Sequence, residues 1–117
     1  MAVKDYKDLH VWQKGIAIAE TIYKTTAGFP PSEVYGLSLQ MRKSAVSISS
    51  NIAEGFTRQH TKEYKQFLYI ASGSCAELET QVIIAEKIGY SLPTISLMDH
   101  LDHELRMLKA IIRKISC

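Results

Sequence analysis

The sequence predicts an all-α fold, an antiparallel up-down-up-down four-helix bundle, and three observations carry that prediction. Apolar residues recur at spacings of three and four over long stretches, the period of a helix face, rather than alternating as in strands. Glycine and proline interrupt that rhythm at three places, residues 27–36, 55–61 and 89–94, which leaves four segments at about 9–26, 37–56, 62–88 and 94–115. The second and third connections are short, so consecutive helices must return alongside one another. At 117 residues the chain suffices for one domain with a single core. It contains no Asn-Gly or Asp-Gly hairpin signal, internal repeat or low-complexity tract.

In the first helix Leu9, Trp12, Ile16, Ala19 and Tyr23 follow bundle spacing and are expected to face inward. A second apolar row, Val11, Ile18 and Ile22 with Gly15 in register, exceeds the one seam per helix that an intramolecular bundle needs. These three residues are therefore expected to form an oligomer interface. The second helix places Leu37, Met41, Ala45, Ile48 and Ile52 on one face. Its serine-rich middle is weak helix material, so a distortion near Ser49 is expected. The third helix has Thr61 as its expected N-cap and Tyr64, Leu68, Ala71, Cys75, Leu78, Val82 and Ala85 along its seam, with Gly89 as its stop. The fourth carries Leu97, Leu101, Leu105, Leu108, Ile112 and Ile115 inward. Arg113 and Lys114 lie in its last turn, where the helix dipole favours cations.

Composition narrows the function classes. Hydrophobic residues are 46% and charged residues 22% of the chain, globular values that argue against disorder. No apolar run has signal-peptide or membrane-spanning length, so a cytoplasmic protein without a membrane partner is expected. Cys75 on a seam and Cys117 at the last position are not placed for an internal bridge, which fits a reducing compartment. The formal net charge of +2 is mildly basic.

Candidate chemistry is sparse. His100 and His103, with Asp99 and Asp102, could supply half a metal site, but the sequence offers no second half; a solvated polar face and no metal or cofactor are expected. Ser47, Asn51 and Glu54 make a polar row without a histidine base at a local spacing, so catalysis is not expected of them. They read instead as structural or interface residues, with Glu77 and Gln81 as candidate partners. Cys75 reads as an inert core thiol. Arg42, Lys43, Arg58, Lys62 and Lys65 flank the second and third helices and are the candidates for contacting phosphates.

Nearly the whole chain resembles the four-helix bundle proteins encoded in 23S rRNA intervening sequences. The resemblance rests on "YKDLHVWQKGIAIAETIYKTT", on "YGLSLQMRKSAVSISSNIAEGF" and on "KEYKQFLYIASGSCAELETQVIIAEKIGY". The middle segment is the most specific: Gln40, Arg42, Ser47, Ile48, Ser50, Asn51, Ile52, Ala53, Glu54 and Gly55 match the family pattern, whereas Lys43 replaces an arginine and Ser49 a proline. The fourth helix matches only in pattern. The resemblance implies a ring-like homo-oligomer, a pentamer, and no enzymatic activity. The similar accessory proteins of diversity-generating retroelements use a basic pentameric barrel to bind nucleic acid and a reverse transcriptase. By that analogy the expected partners are other copies of this chain and RNA or DNA, the latter bound electrostatically; a structural adaptor ring that holds a protein partner is the alternative. Five copies at +2 each would carry +10, enough to make a weak monomer charge matter.

Overall fold

The computed structural model describes residues 3–116. A 3-10 turn at Tyr6–Asp8 leads into α1 (His10–Thr26), and a second turn at Pro31–Glu33 leads into α2 (Leu37–Thr57). α3 (Thr61–Lys87) and α4 (Thr94–Ile115) complete the chain, and no strand occurs among the described residues. Cys117 lies outside them. The particle measures 45 × 22 × 20 Å. α1 and α3 each touch α2 and α4 but not each other, so they occupy diagonal corners.

Local chemistry sets the helix ends. Gly89 has φ +96°, and the Tyr90 N–H reaches the Ala85 carbonyl at 3.0 Å, the Schellman closure that favours glycine. α3 begins at Thr61, and His60 rather than Thr61 takes the cap position, without a side-chain capping bond. At the start of α2 the Leu37 N–H donates to Glu33 Oε1 at 3.0 Å. The Tyr90 hydroxyl donates to the other oxygen of the same carboxylate at 2.6 Å, tying the first connection to the third. These two donors, Tyr90 first, hold the Glu33 carboxyl below its ordinary value.

Contacts fix the register. Gly15 lies against Ser49 while Thr26 meets Arg42, so numbers fall along α2 as they rise along α1. Ser44 meets Glu77, Ser47 meets Ser74, and Gly55 packs against Tyr64 and Phe67. A Cβ on Gly55 would stand 2.7 Å from the Phe67 Cβ, so only glycine permits α2 and α3 to approach this closely here. Lys65 meets Ser116, and Glu79 meets Asp102, between α3 and α4. α2 remains helical through Ser49, which is buried; the distortion expected there does not occur.

The core corrects the reading of α1. Val11, Ile18 and Ile22 are 2%, 3% and 0% exposed within a single chain. They line the core with Met41, Ile48, Leu78, Leu101 and Leu108, and cannot offer surface to a second copy. The row expected to be inward divides: Ile16 and Tyr23 face out, 44% and 46% exposed, while Leu9, Trp12 and Ala19 are half-buried and packed against the core. The physical reason is Gly15, which shares the inward face with Val11, Ile18 and Ile22 and lets α1 settle closely there. Both rows have helical period, and periodicity alone does not choose between them. Truncation of Ile22 to alanine should cost about 2–5 kcal/mol and an aspartate there should abolish the helical signal. Ile16→Asp should leave helicity intact; urea denaturation followed by far-UV circular dichroism measures both.

Candidate functional site

The polar face of α2 is engaged mostly within its own chain. Ser47 Oγ shares a hydrogen bond with Ser74 Oγ at 2.8 Å. Asn51 Nδ2 donates to the Ser47 carbonyl at 2.8 Å and to the Ser47 hydroxyl at 2.9 Å. Glu54 pairs with Arg58 at 3.0 Å, one helical turn along. Ser44 donates to Glu77 at 3.2 Å. Gln40, Lys43, Ser44, Ser47, Glu77 and Gln81 together line an open polar groove of about 540 Å³ between α2 and α3. The carboxamide oxygen of Gln81 is buried beneath it without a hydrogen-bond partner. Gln40, Ser47, Glu77 and Gln81 thus line one groove, whereas Asn51 and Glu54 lie farther along α2, and neither Glu77 nor Gln81 bonds to Ser47, Asn51 or Glu54.

The five basic candidates do not form one patch. Arg42 Nε donates to Thr26 Oγ1 at 2.8 Å, and its guanidinium lies 4.7 Å from the Tyr23 ring centre. Arg42 and Lys43 sit near the start of α2, while Arg58 follows its last turn, roughly 24 Å away at 1.5 Å per residue. Arg58, Lys62 and Lys65 do share one end of the bundle. There Arg58 bridges Glu54 and, at 3.7 Å, Glu63, and Lys65 donates to Ser116 Oγ at 3.2 Å. That last bond brings α4 to the same end, with Lys109, Arg113 and Lys114 exposed on it.

One interior group escaped the sequence reading. Glu104 is 0% exposed, and neither carboxylate oxygen has a hydrogen-bond partner. A Cβ built on Gly15 would lie 3.3 Å from its Oε2 and 3.2 Å from Ser49 Oγ. Burial pushes this carboxyl up to about 8, against the pull of nearby Lys14. The Lys14 ammonium instead meets His100 Nδ1 at 2.7 Å. The missed signal was available: Glu104 lies four residues before Leu108 and three after Leu101, within the α4 apolar stripe. Glu79 is raised as well, by burial first and then by its hydrogen bond with Asp102. Burial, helped by the charges of Glu104 and Glu79, pushes the Cys75 thiol up, which keeps it un-ionised and unreactive. Among the described residues no group of three or more His, Cys, Asp or Glu side chains could hold a metal ion, and no helix is long and apolar enough to cross a membrane.

The fold and these sites define a class: a single helical bundle with a hydrogen-bonded polar α2–α3 seam, a buried protonated carboxyl and charged ends. Residues 7–112 match the family described as 23S rRNA-intervening sequence protein. The match covers most of the chain, which belongs to that family. No curated protein matches the chain.

Two measurements test the interior chemistry. Between the ordinary carboxyl value of 4.5 and about 8, folded Glu104 holds a proton that the unfolded chain has released. Its contribution is therefore complete at low pH and declines as pH rises to 8, by about 1.4 kcal/mol per pH unit. Urea unfolding of the native chain from pH 5 to 8 should show that decline, and Glu104→Gln should lessen it, leaving the smaller part that the raised Glu79 carboxyl contributes up to about pH 7. In a Cys117→Ser background, Cys75 should resist a thiol reagent at pH 8 until denaturant is added; rapid labelling of the folded chain would contradict its burial.

Proposed function

We propose that the chain is a non-enzymatic, cytoplasmic, antiparallel up-down-up-down bundle whose copies join into a ring, a pentamer, that binds RNA or DNA through its basic surface. The observation carrying this reading is a pair of unpartnered apolar faces on diagonally opposed helices. On one side Tyr6, Trp12, Ile16, Ala19 and Val46 line an apolar groove of about 280 Å³ between α1 and α2. On the other, Tyr69, Ile70, Ile83, Ile84 and Ile88 project from the outer face of α3. Between them Gly73 has nothing within 4 Å of where a Cβ would be, so a neighbouring helix can come close.

Monomers rarely leave such rows uncovered. The two faces differ from each other, so contact between them is head-to-tail, and a head-to-tail contact that closes makes a ring. Membership of the 23S rRNA-intervening sequence family supports the same reading. The contact pairs that run in opposite numerical order along successive helices support the antiparallel arrangement. The buried, un-ionised Cys75 suits a reducing compartment. Nucleic-acid binding in this reading is electrostatic and insensitive to base sequence, with affinity falling steeply with salt.

Light scattering should give a mass of several chains for the native protein. Ile16→Lys and Ile84→Lys should each lower that mass while the far-UV spectrum is retained. A single-chain mass at high concentration would remove the assembly. Titration of the intact oligomer with a structured RNA at two salt concentrations tests the binding, and absence of salt-dependent binding ends it.

A further inference from the structure

The formal charge of +2 conceals a separation of charge along the bundle axis. The groups at Gly15, Ser49, Cys75 and Glu104 mark a common level midway along it, since Gly15 abuts Ser49 and Glu104, and Glu104 acts on Cys75. On one side of that level lie residues 3–13, 50–74 and 105–116, whose contacts gather the start of α1, the end of α2, the start of α3 and the end of α4. This half holds nine Lys and Arg against four Asp and Glu, a balance of +5. The other half, residues 16–48 and 76–103, holds four against seven, a balance of −3. Lys14 and Glu104 stand at the dividing level as formally opposite charges, so the halves sum to the formal +2.

The separation matters because of distance. The particle is 45 Å long, several times the roughly 8–10 Å over which physiological salt screens a charge. A polyanion at one end therefore meets the local balance rather than the net charge. α4 carries the gradient on a single exposed stripe, with Asp99 and Asp102 towards its start and Arg106, Lys109 and Arg113 towards its end. α3 runs the other way, from Lys62 and Lys65 to Glu77, Glu79 and Glu86, so both helices turn the same sign to the same end.

We infer that the end built from the start of α3 and the end of α4 is the phosphate-binding face, centred on Lys62, Lys65, Lys109 and Lys114, and that Arg42 and Lys43 lie outside it. The occupant is the sugar-phosphate backbone of a nucleic acid. This rests on the nucleic-acid reading above and adds where contact occurs. Arg42 belongs to the acidic half and is committed to Thr26 and Tyr23, so its guanidinium serves the α1–α2 seam.

Two triple variants of the full chain separate location from total charge. Lys62→Gln, Lys109→Gln and Lys114→Gln neutralise the basic end; Lys24→Gln, Lys43→Gln and Lys87→Gln remove the same charge from the other half. Each protein is titrated with a short RNA hairpin across a salt series, with far-UV circular dichroism as the folding control. The first variant should lower the slope of log affinity against log salt by about 2–3, at 0.7–0.9 per lost contact, and the second should leave it unchanged. Equal losses in both would overturn the polarity while leaving nucleic-acid binding in place. Absence of salt-dependent binding by the native chain would instead overturn the parent reading. Competition by polyglutamate matching that of RNA at equal charge would replace the nucleic acid with an acidic protein as the partner.

Discussion

The close seating of α1 at Gly15 is the constraint on which the rest of this structure depends. The glycine stands where Ser49 of α2 and Glu104 of α4 both come within about 3.3 Å of its absent side chain. A Cβ here would require the Ser49 and Glu104 side chains to give by a few tenths of an ångström within a close-packed interior. With Gly15 inward, Val11, Ile18 and Ile22 follow at helical spacing, Ile16 and Tyr23 turn outward, and Trp12 and Ala19 pack at the margin of the core. The identity of the core row, the position of the exposed apolar face and the burial of Glu104 all descend from that one rotation.

The residues that carry the resemblance to the family are largely occupied with building the bundle. Arg42 braces the end of α1, Ser47 and Asn51 satisfy one another and Ser74, Glu54 holds Arg58, and Gly55 lets α3 approach. A motif rich in polar residues on a helix thus reflects the need to satisfy hydrogen bonds at a tight seam. The cations of the basic end are elsewhere, at the start of α3 and the end of α4.

Glu104 adds a second kind of economy to the interior. A carboxyl with no partner is tolerated in an apolar stripe because it keeps its proton at neutral pH, which removes most of the cost of burying a charge. Its neighbour Cys75 stays protonated for the same reason. The interior is therefore electrically quiet, and the charges that act at long range are those on the two ends.

The four helices, the absence of strands among the described residues and the seams of α2, α3 and α4 were legible in the sequence, because helical spacing and glycine or proline breaks are local properties of the chain. The family was legible for the same reason, through the segment from Gln40 to Gly55. Which of two equally periodic rows of α1 entered the core was not legible, since that depends on what α2 and α4 present at the level of Gly15. Nor was the meeting of the start of α3 with the end of α4, because Lys65 and Ser116, 51 positions apart, become neighbours only when the helices fold back. The sequence by itself determined the elements and their kinship; the tertiary structure decided orientation and charge geometry, because both are set by contacts between helices and not within them.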